Sequence, residues 1–421
     1  MTEEEVFEEL EKTKYGTVRN TRDNCTKVFR HDPLLREALR LNMLSGRISV
    51  VKDLGWERSG DAVTNADIRR IHLYVEQTYG LTSEKLIDEA LMLVADENRY
   101  HPVRDRLNRL VWDGQERIRY ALQHFLGADA SDYTYEALRL FMLAAVKRVF
   151  RPGAKFDYML CLIGGQGIGK STFLRFLAMQ DEWFTDDVKN LESDRVYEKL
   201  QGHWIVELSE MIAAINAKTT EAIKSFLSRD KETYRTVYER FPEDRPRQCV
   251  IAGTTNKMAF LPGDRSGNRR FFPVCCEKEK AEVFILDDIA SARNYIDQMW
   301  AEAMVIYRSG KYSLKPSKKM EQEVMERQIP YTPEDTDAGL ILAFMEDTRE
   351  NMVCSKMLFR EALGNETSQP QRWQTNDICE TVNQLIRDGR LKGWRPLPKE
   401  QRIRGYGVQR GWERIPDCNE P

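Results

Sequence analysis

The chain has 421 residues, 41% hydrophobic and 31% charged, with a formal net charge of −3. That composition is ordinary for a globular protein of two or three domains, each burying its own core. It excludes a membrane protein, because no apolar run approaches the roughly 20 residues of a span, and the acidic start Met1-Thr2-Glu3-Glu4-Glu5 lacks a signal peptide's basic and apolar regions, so a cytoplasmic protein with no membrane partner is expected.

Residues 1–150 read as a mostly helical region. Asp32–Leu41 offers a cap, a proline in the first turn and apolar residues at helical spacing, which predicts a helix. Similar patterns run through 65–79, 83–95, 104–112 and 133–149. Arg151-Pro152-Gly153 ends the last of these, and from there to residue 315 short apolar runs alternate with helical stretches. The runs are 158–163, 204–208, 248–253 and 270–274, the pattern of an α/β core.

The first run leads into Gly164-Gly165-Gln166-Gly167-Ile168-Gly169-Lys170-Ser171-Thr172. Strand, glycine loop and helix in that order spell G-x-x-x-x-G-K-S, whose backbone N–H groups cradle phosphate oxygens at a helix N-terminus. Lys170 reaches the β- and γ-phosphates, and the Ser171 hydroxyl ligates Mg²⁺. The chain is therefore expected to bind ATP with Mg²⁺.

The next strand, Trp204–Leu208, carries Glu207 near its tip, with Glu210 three residues on. One carboxylate there orients the metal's hydration shell and a second takes a proton from attacking water. Glu207 suits the metal side and Glu210 the base, although the two roles can exchange. The segment 218–247 mixes bases and aromatics, among them Lys224, Tyr234, Arg235, Tyr238 and Arg240, with many acids. It reads either as a solvated charged face or as a hairpin that holds a single strand of nucleic acid by phosphate contact and stacking.

Val250–Asn256 is an apolar strand ending in Thr-Thr-Asn, which sets the neutral amide of Asn256 beside a γ-phosphate. Arg269 and Arg270 follow a turn and open the strand Phe271–Val274. They are either solvated or stabilise a phosphoryl transition state, in a ring assembly from the neighbouring subunit. Prolines flank a charged helix over 316–333 that reads as a connector, and 334–421 gives short helices and a basic, glycine-rich end. Nine Lys/Arg stand against three acids between Arg387 and Arg414, so the neutral average hides a basic tail.

Eight cysteines contain no C-x-x-C pair, and five histidines are scattered without ligand spacing. Reduced buried thiols are expected in place of disulfides or a zinc site.

Together these pieces resemble the virulence-associated protein E family of phage, prophage and mobile-element P-loop ATPases, similar to superfamily-3 helicases. The resemblance rests on His101–Asp105, Trp112–Ile118, Pro152–Asp157, Gly164–Ser171, Trp204–Glu210, Asp230 with Tyr234-Arg235 and Tyr238, Gly253–Asn256 and Gly267–Phe272. It implies an α/β P-loop NTPase core of the additional-strand, superfamily-3-like type and an ATP-dependent DNA helicase, translocase or replication initiator. Such a protein acts as a ring, a hexamer by resemblance, on DNA, here single-stranded.

By the same resemblance Lys170 and Ser171 bind phosphate and Mg²⁺, Glu207 and Glu210 form the acidic motif, Asn256 is the polar sensor, and Arg269 or Arg270 is the finger. The two glutamates stand three apart, where such ATPases usually have an adjacent pair. Some relatives carry a primase-polymerase domain ahead of this region. This chain begins almost at the helical lead-in, so primer synthesis is expected from a separate partner. The tail Gly405–Trp412 resembles the family's ending and, with helices near 355–363 and 375–387, suggests a small winged-helix-like domain. Two rival readings are an initiator or switch that binds DNA without processive unwinding, and a small-molecule P-loop kinase.

Overall fold

Backbone contacts divide the chain into two units, Met1–Thr332 and Pro333–Pro421. The structure, a computed structural model, describes all residues except 189, 190, 192–195, 210–216, 235–242, 258, 259, 262–267, 333–335, 366, 367 and 416–421. Among the described residues no helix is long and apolar enough to cross a membrane, and the seven described cysteines are free.

The first unit opens with α1 (Glu3–Glu9), α2 (Arg22–His31), β1 (Leu39–Asn42), β2 (Arg47–Val50), α3 (Asn65–Tyr79), α4 (Glu84–Glu97), α5 (Pro102–Arg109), α6 (Ala121–Leu126) and α7 (Asp132–Phe150). It continues through β3 (Met159–Ile163), α8 (Lys170–Leu177), β4 (Phe184–Thr185), α9 (Val196–Leu200), β5 (Ile205–Ser209), α10 (Ala217–Ser228), β6 (Lys231–Tyr234) and β7 (Glu243–Pro246). β8 (Val250–Thr255), β9 (Phe271–Cys275), α11 (Ile289–Ser309) and α12 (Lys318–Gln328) complete it.

Local chemistry sets the clearest boundaries. α3 starts in a capping box between Thr64 and Asp67 and stops at Gly80, whose left-handed φ of 70° a side chain would resist. The helix expected over Asp32–Leu41 does not form. Asp32 uses Oδ1 to accept the N–H groups of Leu34 and Leu35, both at 2.8 Å, and Oδ2 to accept the hydroxyls of Tyr74 (2.8 Å) and Tyr79 (2.6 Å). Glu37 then takes a φ of 60°, and the chain turns into β1, which pairs antiparallel with β2. The same cap-like aspartate serves a turn because two tyrosines of α3, one buried and one half-buried, claim its second oxygen.

Five parallel strands form the central sheet in the order β4-β5-β8-β3-β9. Along β3 the side chains alternate between two cores. Leu160 and Leu162 pack with α7, α8 and α11, whereas Met159, Cys161 and Ile163 face α9 and α10. Both faces are covered, as a parallel sheet requires. Trp204 and Trp300 lock the first layer with ring centroids 4.4 Å apart, and their indole N–H groups donate to the carbonyls of Ala145 (3.1 Å) and Leu177 (2.9 Å). The proline-flanked helix expected as a connector, α12, is tied into this unit. Gln328 donates to the carbonyls of Asn268 (2.7 Å) and Phe271 (2.8 Å).

A separate cluster joins α2, α3 and α4 with the β1–β2 hairpin, and His101 helps tie it to the sheet. Its Nδ1 accepts the Arg104 N–H as the cap of α5 (3.3 Å), which leaves Nε2 protonated and 2.7 Å from Gln248 Oε1. Gln248 in turn donates to the Met43 carbonyl at 2.9 Å. Burial holds the imidazole neutral and pushes its pKa down to about 4. The unfolded chain therefore takes up the proton first, and stability is lost as pH falls below about 6.5. Between pH 7 and pH 5 the expected loss through this group is about 2 kcal/mol. Urea unfolding of the wild type and His101→Asn at the two pH values measures it as the difference between their slopes.

The second unit comprises α13 (Thr336–Asp347), β10 (Met352–Cys354), α14 (Ser355–Met357) continued as a π-helical turn Leu358–Ala362, α15 (Arg372–Arg387), β11 (Trp394–Pro396), β12 (Gln401–Ile403), β13 (Gly407–Gln409) and β14 (Gly411–Arg414). β10, β14 and β11 pair antiparallel in that order, and β12–β13 is a hairpin inserted between β11 and β14 in sequence. Its own apolar core is closed by Trp394 and Trp412, whose N–H groups donate to Met345 O (3.1 Å) and Asn383 Oδ1 (2.9 Å).

Candidate active site

The C-terminal ends of β3, β5 and β8 converge on one cleft of about 540 Å³, lined by Gln166–Thr172, Ser209 and Thr254–Asn256. Ligands of open α/β sheets bind at this carboxyl end. Two backbone bonds seat the glycine loop: the Gly164 N–H donates to Thr255 O (3.1 Å), and the Cys276 N–H donates to Ile163 O (2.7 Å). A Cβ on Gly164 would sit 2.3 Å from the Cys276 carbonyl oxygen, so only glycine fits there. Gly169 caps α8 at φ 101°, a left-handed conformation that frees the helix's first N–H groups.

Lys170 Nζ donates to the carbonyls of Gly164 (2.7 Å) and Gly165 (2.6 Å), spanning the loop it follows. Partial burial lowers its pKa, opposed by Cys276 and Glu207. The Ser171 hydroxyl donates to Glu207 Oε1 at 2.7 Å, and the Thr254 hydroxyl donates to the same oxygen. Glu207 is fully buried, and its other oxygen, Oε2, has no partner. Burial raises the pKa of this carboxyl, with the two hydroxyls pulling the other way.

A buried carboxylate with one bare oxygen is unfavourable by itself. It fits a site that takes a hydrated Mg²⁺ beside Ser171, since Mg²⁺ retains waters and phosphate oxygens and needs few protein ligands. Among the described residues no three His, Cys, Asp or Glu side chains gather into a metal cage.

The cleft thus brings together Lys170, Ser171, Thr172, Glu207 and Asn256, the last exposed at its rim. Sequence reasoning did not find the Thr254 bond to Glu207. It depends on the parallel register that sets Ser209 opposite Thr254, for which a single strand's sequence holds no signal. Glu210, Arg235, Tyr238 and Arg240 lie outside the described residues, and only the backbone of Tyr234 is described.

Arg269 and Arg270 are not in the cleft. Phe271 pairs with Met159 and Cys275 with Ile163, so the two arginines stand at the start of β9, at the opposite end of the sheet from the glycine loop. Five residues of strand separate the ends by about 16 Å, beyond the reach of an arginine side chain. There they line a second cleft of about 440 Å³ with Tyr158, Phe272 and Lys315. Lys224 is also displaced from its expected setting. It lies on α10, ahead of the β6–β7 hairpin, and is only 6% exposed. The hairpin itself forms, with Lys231 paired to Pro246 and Tyr234 to Glu243. Its base is fixed by a buried ion pair between Arg247 and Glu232, so Arg247 too is withdrawn from the surface.

Residues 107–332 match the virulence-associated protein E-like domain, more than half of the chain. The chain belongs to the virulence-associated protein E family. Within it, the Trp112–Ile118 motif is scaffolding. Glu302 on α11 accepts the N–H groups of Arg117 (2.7 Å) and Ile118 (3.0 Å), and Arg117 clamps Asp113 at 2.7 Å. No curated protein matches the sequence. Among solved structures, the A form of the apo C-terminal region of NrS-1 is similar at 12% identity and a TM-score of 0.50, covering 90% of this chain and 96% of that one. A second apo structure of the same region has 13% identity and a TM-score of 0.48, covering 89% and 95%. The first of these likenesses concerns the fold alone.

Proposed function

We propose that this virulence-associated protein E family member hydrolyses ATP with Mg²⁺ at the subunit junctions of a ring. It couples that hydrolysis to movement along, or opening of, DNA in the replication of a phage, prophage or mobile element. The observation that carries the reading is Glu207, a buried carboxylate held by Ser171 at the mouth of a glycine loop with one oxygen unpartnered. A merely structural glutamate would have its second oxygen satisfied. Support also comes from β8, which lies between the glycine-loop strand and the acidic strand. That intercalated strand suits the additional-strand class of P-loop ATPases and the family's superfamily-3-like core.

In this mechanism the loop N–H groups and Lys170 hold the β- and γ-phosphates. Lys170 exchanges the Gly164 and Gly165 carbonyls for phosphate oxygens. Ser171 and Glu207 would hold Mg²⁺, which would supply charge neutralisation on the phosphates. Asn256 positions water without adding charge, and Glu210 is the proposed base. Arg269 or Arg270 of a neighbouring subunit completes the site, since neither reaches its own chain's cleft. The β6–β7 hairpin is the proposed single-strand contact, through Tyr234, Arg235, Tyr238 and Arg240. In the second unit the strand order β10-β14-β11 with an inserted hairpin supports a winged-helix-like fold.

Steady-state ATPase with and without single-stranded DNA, run beside light scattering for oligomer mass, tests the reading. Stimulation by DNA in an oligomer is the expected result. A DNA-insensitive monomer would overturn it in favour of a switch or a kinase.

A further inference from the structure

Although the second unit as a whole holds 13 Lys/Arg against 15 Asp/Glu, one stretch of it gathers positive charge that ATP hydrolysis does not use. Its β12–β13 hairpin and flanks carry Lys399, Arg402, Arg404 and Arg410, and Glu400 is the one acid among them. Four cations against one acid leave +3 on a short segment of a chain whose net charge is −3. Arg410 engages Glu400 at 3.4 Å. Lys399, Arg402 and Arg404 are exposed and pair with none of the described residues.

The hairpin is anchored, so those charges have fixed positions. Ile403 is buried in the unit's core, and the Tyr406 hydroxyl donates to Glu361 Oε1 at 2.6 Å, tying the tip to the π-helical turn after α14. Gly405 and Gly407 supply the φ values of 81° and 77° that the turn requires.

In the same unit α15 follows the shorter helical segment in helix–turn–helix order. It buries Ile378, Val382 and Leu385 and exposes Arg372, Trp373 and Asn376 in its first turns. Asp377, directly after Asn376, and Glu380, one turn beyond it, are also exposed, so an anionic ligand meets acids from there on.

We propose that this unit binds double-stranded DNA, with Lys399, Arg402 and Arg404 on backbone phosphates and Arg372 and Asn376 facing base edges in the major groove. The proposal rests on the winged-helix reading of the unit and is independent of the ATPase reading. Guanidinium groups suit phosphate oxygens, and Arg and Asn are the side chains that pair with guanine and adenine edges. A helix fits the major groove of a duplex, whereas a single strand calls for several stacking platforms. Trp373 is the one exposed aromatic side chain among the unit's described residues. Val408 is the one large apolar side chain exposed on the hairpin, which gives a lipid surface little to insert.

The test titrates the full chain, without nucleotide, against a short fluorescent duplex over a series of salt concentrations. Lys399→Ala/Arg402→Ala/Arg404→Ala is expected to weaken binding at least about tenfold and to lower the log–log salt slope by about 3. Arg402→Lys/Arg404→Lys should keep most of the slope, because phosphate contact needs charge. Circular dichroism and a thermal unfolding profile of the triple variant equal to wild type show that its fold is intact. Lys170→Ala should bind the duplex normally, so failure of the ATPase reading leaves this result standing. Unchanged affinity and slope in the triple variant would overturn the proposal, as would binding to anionic phospholipid vesicles but not to duplex.

Discussion

Glu207→Gln should lower ATP turnover at least about 100-fold, the scale of losing one preorganised charged group from a phosphoryl-transfer site, while leaving thermal stability unchanged or higher. The two effects separate because the carboxylate is held where its charge is disfavoured. Glu207 is fully buried, both of its donors lie on Oε1, and burial raises its pKa. An amide of the same shape still accepts the Ser171 and Thr254 hydroxyls and no longer carries a buried charge, which offsets the two amide hydrogens it leaves in place of Oε2.

The sign in pH follows from the same shift. A raised carboxyl pKa means that Glu207 takes up a proton at a higher pH than an ordinary glutamate. Activity needing the charged form should therefore fall as pH drops through a value above about 4.5. Calorimetry and an ATPase assay on the purified variant check both parts. A variant that unfolds several degrees early and loses activity in proportion would make Glu207 a packing residue. Near-normal turnover would remove it from the metal site.

What could be read from the sequence, and what could not, divides by the range of the interaction. The glycine loop is legible because its chemistry is local: glycines where N–H groups must turn inward, then Lys170 and Ser171 on the first turn of α8. Glu207 is legible as a charged residue inside an apolar run. The Thr254 contact is not, because it arises from the parallel register of β5 against β8. The Asp32 turn shows the converse failure. A good local cap was overruled by Tyr74 and Tyr79, more than 40 positions away. Lys224 failed in the same way, since a lysine among bases reads as surface and tertiary packing buries it. The pairing of β9 was likewise out of reach of periodicity, yet its parallel register against β3 is what places Arg269 and Arg270 at the far end of the sheet.

That placement leads to the second large effect. Arg270→Ala and Lys170→Ala proteins should each be inactive alone and recover ATPase when mixed and allowed to exchange subunits. Lys170→Ala removes the cation that reaches phosphate. Arg270→Ala removes a charge about 16 Å of strand away from its own chain's loop, so its loss acts on a neighbour's nucleotide. An arginine acting in trans supplies about 10³–10⁵ in rate. In a head-to-tail ring a junction works when an intact loop meets an intact arginine. In an equal random mixture about one quarter of junctions pair the loop of an Arg270→Ala subunit with the arginine of a Lys170→Ala subunit. Activity should therefore approach that fraction of wild type if junctions fire independently, and less if they must fire in turn. The Arg269→Ala mixture distinguishes the two arginines. Arg270 is half-buried and Arg269 exposed, and the one whose mixture shows rescue is the finger. No rescue from either, in rings shown by mass to be mixed, would place the arginines' role within their own subunit. The second cleft they line with Tyr158 and Lys315 would then need a ligand other than a neighbour's ATP.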